Sequence, residues 1–298
     1  MDEFRIPLGD TAEKGIDWII NNLSGLFSVL RTIFIEMYDA LYMVLGTPPF
    51  WVVIIAVGVI SLLARGWQFM LGSVLGLVLI VGMNQWTNAM VTLALVLVAT
   101  FWALLIALPL GIWAAKSTTV SNIVRPVLDF LQTMPAFVYL IPALMLFRVG
   151  VAPGIVATIV FALAPGVRFT ELGIRSVDKE VVEAGYAFGS SPGRIMRQIQ
   201  LPLALPTIMA GVNQVIMLSL SMVVIAGMVG AGGLGGDVIS SLSRLDTALG
   251  VEAGLAVVIL AMILDRLTNA FGRQSGVFAL LMKKRKAART AREQELAA

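Results

Sequence analysis

One segment decides the fold, residues 67–115: WQFMLGSVLGLVLIVGMNQWTNAMVTLALVLVATFWALLIALPLGIWAA. Its 49 residues include no Asp, Glu, Lys or Arg. A helix crosses the hydrocarbon core of a membrane with about 20 residues, so this segment is too long for one crossing and predicts two. We place the break at residues 84–88, NQWTN, because amide side chains and a tryptophan suit the headgroup layer.

The composition of the whole chain is that of an integral membrane protein. Of its 298 residues, 58% are hydrophobic and 13% are charged, with a mean hydropathy of +0.92. A soluble domain of this length cannot bury so much apolar surface. Further apolar stretches predict crossings at residues 50–64, 135–147 with a turn or two before it, 154–167, 201–228, and 254–264 with its flanks. The prediction is an all-α polytopic membrane helix bundle of about seven transmembrane helices.

The absence of cysteine and histidine removes most enzyme chemistry. Thiolate nucleophiles, disulfides, imidazole bases and the commonest metal ligands are all excluded. We therefore expect a protein that is not an enzyme, with no catalytic residue, no metal site and no cofactor of its own. A net charge of +3 in a membrane chain reflects Lys and Arg held on the cytoplasmic side, so we expect no nucleic-acid partner.

The positions of the basic residues predict the orientation in the membrane. With the N-terminus outside and the C-terminus cytoplasmic, all but five of the 21 basic residues lie on the cytoplasmic side. The five are Arg5, Lys14, Arg31, Arg148 and Arg244. We expect a multi-pass membrane protein. The basic tail, residues 275–298, contains KKRK at 283–286, interpreted as a signal that fixes topology; membrane lipid as its ligand is the alternative.

An external N-terminal extension, residues 1–48, precedes the transmembrane domain predicted at 49–274. Four acidic side chains lie near its start: Asp2, Glu3, Asp10 and Glu13. They argue against a signal peptide. From Ile16 to Leu41 apolar residues recur at steps of three and four, which predicts an amphipathic helix that packs on the bundle or contacts a partner. A further crossing is disfavoured, because Arg31, Glu36 and Asp39 would lie in hydrocarbon.

The centres of the predicted spans carry no charged side chain. Acidic residues near the predicted cytoplasmic ends each have a basic neighbour within four positions: Asp129 with Arg125, Glu171 with Arg175, and Asp265 with Arg266. We interpret all three acids as solvated or capping groups. Ion-coupled transporters keep ionisable groups near the midplane, so we expect another subunit to supply the driving force here.

Two patterns invite a ligand-binding interpretation. The run GAGGLGG at residues 230–236 has the G-x-G-x-x-G spacing of a dinucleotide site, but it follows an apolar helix and not a strand, so we interpret it as a tight turn at the outer mouth. Trp102 and Tyr139 fall deep in predicted spans, and aromatic faces hold quaternary ammonium groups. They are our candidates for the transport pathway, with packing inside the bundle as the alternative.

The longest predicted cytoplasmic loop, residues 168–200, has the signals of two short helices. Asp178 is placed to cap the first, Gly189 suits its left-handed stop, and Ser191-Pro192 opens the second with a capping hydroxyl and a proline. The first helix presents Tyr186 and Phe188, which predicts a knob for the groove of a partner. Folding back onto the bundle is the alternative.

A spaced motif in this loop resembles a known family. Glu183-Ala184-Gly185, Gly189, Ile199 and Leu201-Pro202 are similar to the "EAA" loop of inner-membrane permeases of binding-protein-dependent ABC importers. Only Gly185 departs from the pattern, replacing alanine, at a cost in helix propensity of up to about 1 kcal/mol. Three further stretches look like the glycine betaine/proline betaine branch: 201–214, 219–226 and 263–268.

The resemblance implies a type I ABC importer permease fold and a division of labour. A cytoplasmic ABC ATPase would bind ATP and Mg²⁺, and an external solute-binding protein would capture the solute. The ATPase-coupling residues would be Glu183, Ala184, Gly185, Tyr186, Phe188, Gly189, Ile199, Leu201 and Pro202. Two permease copies would form the pathway, as a homodimer or within a heterodimer, for glycine betaine, proline betaine, choline or trimethylamine N-oxide. The alternatives are an ATPase-independent secondary transporter or channel, and a scaffold that only recruits a partner.

Overall fold

The computed structural model describes residues 8–272, and within this range the chain is helical with no strand. In chain order the helices are α1 (Leu8–Gly46), α2 (Phe50–Arg65), α3 (Trp67–Gly82), α4 (Trp86–Lys116), α5 (Thr118–Thr133), α6 (Ala136–Phe147), α7 (Val151–Arg175), α8 (Lys179–Ala187), α9 (Pro192–Ile195), α10 (Leu201–Ala226), α11 (Gly233–Arg244) and α12 (Thr247–Gly272). Met196–Gln200 forms a π-helical turn and Gly227–Val229 a 3-10 turn. The all-α bundle predicted from the sequence is confirmed. The basic tail lies outside the described residues.

The number of long apolar helices differs from the seven crossings expected. Among the described residues five helices are long and apolar enough to span a membrane, α1, α4, α7, α9–α10 and α12, or six with the pair α5 and α6. That pair replaces the expected crossing at 135–147 and is bent by 100°. α2 and α3 occupy two expected crossings but have only 16 residues each. Hydropathy predicted where these apolar stretches lie. The lengths of the helices depend on the breaks at Gly66 and Pro135, which hydropathy does not show.

α2 and α3 form a hairpin that turns at Gly66. The two helices contact each other along their length, and the Ser61 hydroxyl donates a buried hydrogen bond to Ser73 Oγ at 3.1 Å. Leu77 and Ile80 of α3 pack with Leu260 of α12 in one apolar cluster. The remaining surface of the hairpin is largely exposed and apolar, as expected of a face toward lipid.

The centre of the bundle is formed by α4, α7 and α10. On α4 small residues recur at every fourth position and are buried: Ala99, Ala103, Ala107 and Gly111. Such a stripe lets helix backbones approach closely, and in a membrane this close packing replaces the hydrophobic driving force. α7 and α10 therefore meet α4 in fixed positions, and the loop between α7 and α10 is held at one end of this core.

The second half of α1 packs against the bundle, in agreement with the packing expected of the N-terminal helix. Phe34 and Tyr38 are buried against α4 and α6. Arg31, whose charge argued against a crossing, donates from Nε to the carbonyl oxygen of Phe147 at 3.1 Å. Helix α1 runs from Leu8 to Gly46 and so extends at both ends beyond the helix predicted for residues 16–41. Its external location and the domain boundary at 48 stay predictions.

Candidate functional site

Helix α8 is capped at both ends as the sequence predicted. At its start the Asp178 carboxylate accepts a hydrogen bond from the backbone N–H of Glu180 at 2.9 Å. At its end Gly189 has φ +74°, and the N–H of Ser190 donates to the carbonyl of Gly185 at 3.1 Å. This is the closing bond of a Schellman motif. The caps make α8 a short rigid helix.

The second helix of the loop differs from the prediction. Pro192 is its first residue, as expected, but the Ser191 side chain makes no capping hydrogen bond. The helix also does not stop: it continues through the π turn, where the Leu201 N–H donates to the Met196 carbonyl, into α10. No glycine follows Gly193 before α10, so nothing ends the helix. A displacement of this turn would therefore also displace the start of α10.

The two halves of the spaced motif touch at Gly185. This residue is buried, and a Cβ built on it would lie 2.7 Å from Ile199 Cδ1 and 3.4 Å from Ile195 Cγ1. The glycine therefore lets α8 lie close against the helix that leads into α10. Its departure from alanine has a packing reason, which spacing alone did not reveal.

The rest of the motif faces away from this contact. Phe188 is 89% exposed and Tyr186 is 52% exposed. Glu183, Ala184 and Pro202 are exposed as well, while Leu201 is half-buried. Glu183 and Tyr186 also border a groove of about 360 Å³ between α8 and the bundle, which is lined in addition by Ala115, Ile174, Arg175, Val177, Lys179, Val182 and Gln200. α8 thus stands off the bundle with its aromatic side chains free to meet a partner.

A buried carboxylate lies next to this groove. Glu171 is 4% exposed and accepts hydrogen bonds from Ser121 Oγ at 2.7 Å and Arg125 Nη2 at 2.9 Å, with Arg175 Nε at 3.0 Å. Arg175 also donates to the carbonyl of Ala114 at 2.8 Å. The expected solvated role of Glu171 is therefore wrong. Its partners on α5 are about fifty positions away in the chain, so neighbours within four residues could not reveal them.

The other two acids also have partners that the sequence did not predict. Asp129 forms an ion pair with Arg168, and both side chains are well exposed. Asp265 Oδ1 accepts hydrogen bonds from the amides of Asn213 and Asn269, each at 2.9 Å. Amide donors from two helices thus satisfy Asp265. Only the pairing of Glu171 with Arg175 matches the expected neighbours.

The two aromatic candidates for the pathway make packing contacts. Trp102 Nε1 donates to Met37 Sδ at 3.2 Å, and its ring meets Phe34 edge to face, so Trp102 lies where α1 contacts α4. The Tyr139 hydroxyl donates to the carbonyl of Leu131, at the bend between α5 and α6. Their role in a pathway stays a prediction.

The glycine run forms a tight turn, as expected, and then a helix that the sequence analysis missed. Gly230 and Gly232 have positive φ, and α11 follows. Thr92 Oγ1 accepts from the N–H of Leu234 at 2.9 Å, and Asn88 Nδ2 donates to Asp237 at 2.5 Å. These bonds hold α11 against the start of α4. The signal for α11 was the recurrence of apolar residues at steps of three and four after residue 236, at Val238, Ile239, Leu242 and Leu245.

The fold and the loop together define a class of protein. Close-packed apolar helices form a membrane bundle, and a capped helix stands away from its core on the loop between α7 and α10. Within residues 8–272 no group of three or more potential ligands could hold a metal ion. The arrangement is that of a membrane transport component that works with a partner.

Comparison with known proteins gives the family. Residues 107–275 match the family described as "Binding-protein-dependent transport system inner membrane component". The chain belongs to this family, and it is a multi-pass inner-membrane protein.

Several relatives are similar over most of the chain. The glycine betaine/proline betaine transport system permease protein ProW of Escherichia coli is 46% identical over 91% of this chain and 76% of its own length. The glycine betaine/carnitine transport permease protein GbuB of Listeria monocytogenes is 46% identical over 91% of this chain and 97% of its own. OpuAB of Bacillus subtilis, a glycine betaine transport system permease protein, is 44% identical over 89% and 94%.

A solved structure shows the same fold. A chain of the MetNI methionine ABC transporter, in an inward-facing conformation, superimposes with a TM-score of 0.57 at 23% identity. The match covers 61% of this chain and 92% of that chain. This likeness confirms the expected ABC importer permease fold.

Proposed function

We propose that this chain is the transmembrane permease subunit of an ATP-driven ABC importer for a compatible solute. The relatives named above transport glycine betaine, proline betaine or carnitine, and 38% identity over 76% of this chain relates it to a trimethylamine N-oxide permease protein of Ruegeria pomeroyi. The proposed solute is therefore a small molecule with a methylated, four-bonded cationic nitrogen, such as glycine betaine, proline betaine, choline or trimethylamine N-oxide. A cytoplasmic ATPase binds ATP and Mg²⁺, and an external binding protein delivers the solute.

The observation that carries this proposal is the geometry of α8. A helix closed by caps at both ends transmits a displacement as one piece, whereas an open loop would absorb it. Its exposed aromatic residues, Tyr186 and Phe188, suit a groove in the ATPase, and Glu183 lies exposed beside them. The contact of Gly185 with Ile199 joins this docking helix to α10. Closure of the ATPase would then move α8 and α10 together.

Assembly follows from the same geometry. One bundle presents one α8, and ATP-driven closure needs two ATPase subunits, so we propose that two permease copies pair about a two-fold axis. The proposed dimer consists of two copies of this chain. A heterodimer with a second, different permease is the alternative. The proposed orientation places α8 in the cytoplasm and the start of α1 outside, in accordance with the distribution of basic residues.

Charge reversal at Glu183 tests the docking proposal. We expect Glu183→Arg to lower the amount of ATPase that co-purifies with the tagged permease in mild detergent by about tenfold, because an unfavourable charge is placed in a buried contact. ATP-dependent uptake of radiolabelled glycine betaine into proteoliposomes should fall with it. The matched control is Arg244→Glu, a charge reversal on α11, which should leave both measurements unchanged.

Each alternative gives a different result. A secondary transporter or channel would take up solute into vesicles that contain no ATPase. A scaffold would retain the ATPase yet transport nothing in any vesicle. Recovery of no ATPase with well-folded wild-type permease would reject the importer proposal.

A further inference from the structure

Helix α5 is the least embedded of the helices near the coupling loop. Of its 16 residues only Ser121 and Leu128 are buried. Ile123, Val127 and Phe130 are exposed apolar residues. Because so little of α5 is packed, a few defined contacts determine its position relative to the core.

Three contacts attach α5 to α7. The buried Ser121 and the Arg125 side chain, which is 56% exposed, both donate hydrogen bonds to the buried carboxylate of Glu171. Leu128 packs with small and β-branched residues of α4 and α7, among them Ala107, Ala164 and Val167. The third contact is an ion pair between the Asp129 side chain, which is 64% exposed, and the Arg168 side chain, which is 40% exposed. Of these three contacts, the first alone is polar and has a buried carboxylate as its acceptor.

Arg175 brings this buried contact to the coupling loop. It is the last residue of α7, it lines the groove beside α8, and α8 begins four residues later. Its Nε holds the Glu171 carboxylate, and its Nη2 holds the carbonyl of Ala114 near the end of α4. The polar contacts of Arg175 and Glu171 therefore connect the end of α7 to the end of α4 and to α5, beside the groove next to α8.

We propose that Glu171, with Ser121 and Arg125, is the positioning cluster that passes movement of the coupling loop to α5. This proposal rests on the function proposed above. α5 leads through the 100° bend into α6, so a displacement of the inner end of α7 reaches α6 by way of α5. Glu171 acts through α5 and α7 and need not touch the solute.

The chemistry of the cluster suits this task better than apolar packing does. Two hydrogen bonds and an ion pair on one buried carboxylate fix direction as well as distance. The packing of Leu128 supplies no directional donor or acceptor. An exposed pair such as Asp129–Arg168 is screened by solvent and holds weakly. The Glu171 cluster thus holds α5 and the end of α7 in one defined arrangement.

The test breaks only the α5 side of the cluster. The double variant Ser121→Ala/Arg125→Met removes both donors on α5 and leaves Glu171 paired with Arg175, so no buried carboxylate is left alone. In the complete transporter, reconstituted with its ATPase and binding protein, we expect uptake of glycine betaine to fall by about tenfold, the size of a typical coupling between sites. ATP hydrolysis stimulated by the solute-loaded binding protein should remain. The ATP consumed per solute transported therefore rises.

A second readout follows the movement of α5 itself. The chain has no cysteine, so the single variant Phe130→Cys provides one thiol on the exposed side of α5. In the otherwise wild-type permease its labelling rate should differ between the nucleotide-free and nucleotide-trapped states. In the double variant this difference should disappear. If the cluster only stabilised the fold, the double variant would yield less assembled transporter. The labelling rates in its assembled fraction would still differ between the two nucleotide states.

The control removes the exposed contact between the same two helices. Asp129→Asn should change uptake and hydrolysis by less than about twofold, since an exposed pair contributes little. If the double variant assembles poorly, Glu171→Gln takes its place in the test, because it keeps the shape of the side chain. It should show the same loss of uptake with retained ATP hydrolysis. Equal loss of uptake and hydrolysis, or no loss of either, would overturn this proposal. Absence of ATP-dependent uptake by the wild type would instead reject the proposed function.

Discussion

Gly235 lies where α11 crosses the end of α10 so closely that no side chain fits. A Cβ on Gly235 would lie 2.5 Å from the carbonyl oxygen of Val224, whereas a Cβ on the neighbouring Gly236 would meet nothing within 4 Å. Backbone atoms cannot turn aside as the end of a side chain can. The two adjacent glycines thus have different roles, although their letters in the run are the same.

This difference gives a prediction for single residues. Gly235→Ala should destabilise the permease by about 1–3 kcal/mol, the usual cost of overpacking, and Gly236→Ala should leave stability nearly unchanged. The measurement is the thermal unfolding midpoint of each purified variant in the same detergent. Equal midpoints for the two variants would show that α11 does not approach α10 this closely.

Gly185 shows what sequence reasoning could and could not supply at this scale. Its place in the motif was predicted, and so was the left-handed Gly189, because a helix stop has a local signal. The contact of Gly185 with Ile199 was not predicted, since it depends on how two helices cross. Glu171 is similar: Arg175, four residues on, was expected, but Ser121 and Arg125 come from another helix.

At the scale of elements, the bend between α5 and α6 depends on one hydroxyl. A continuing helix would pair the carbonyl of Leu131 with the N–H of residue 135, but that residue is proline and has none. The Tyr139 hydroxyl donates to this carbonyl instead, and the Tyr139 ring meets Phe161 edge to face. The side chain therefore holds the bend in place of a backbone bond.

Removing this hydroxyl should weaken the bend. Tyr139→Phe removes the donor from the part-buried carbonyl of Leu131, which costs about 0.5–1.5 kcal/mol, the usual net contribution of a hydrogen bond. We expect a lower unfolding midpoint in detergent for this variant. Tyr186→Phe removes a hydroxyl from an exposed side chain and serves as the control, with an unchanged midpoint. A stable Tyr139→Phe permease would mean that the bend is held by packing alone.

The elements differ in how well the sequence predicted them. α8 was predicted with both caps, because its signals lie within the helix itself. The bend between α5 and α6 was not predicted, because Pro135 is as compatible with a helix start as with a kink. The position of the Tyr139 side chain, which the sequence does not show, distinguishes the two. The second loop helix was predicted to be short, but it runs into α10, since helix continuation needs no signal of its own.

At the scale of the whole molecule, α1 decides the topology. It is long and apolar enough to cross a membrane, yet only its second half packs on the bundle. We predict that a cysteine at Asp17 reacts with an impermeant thiol reagent added outside intact spheroplasts, and that one at Phe188 reacts only after permeabilisation. The cysteine-free wild type is the control. Protection of position 17 until permeabilisation would place the N-terminus inside and make α1 a crossing.

The α2–α3 hairpin has a consequence for the surrounding lipid. A helix of 16 residues is about 24 Å long, and the hydrocarbon core of a bilayer is about 30 Å thick. Arg65 at the turn and Trp67 beside it draw that end of the hairpin to a headgroup layer. A hairpin that crosses must then pull the two leaflets together around it. The permease would work best in thin bilayers, and a change of acyl-chain length would act on it without touching the solute.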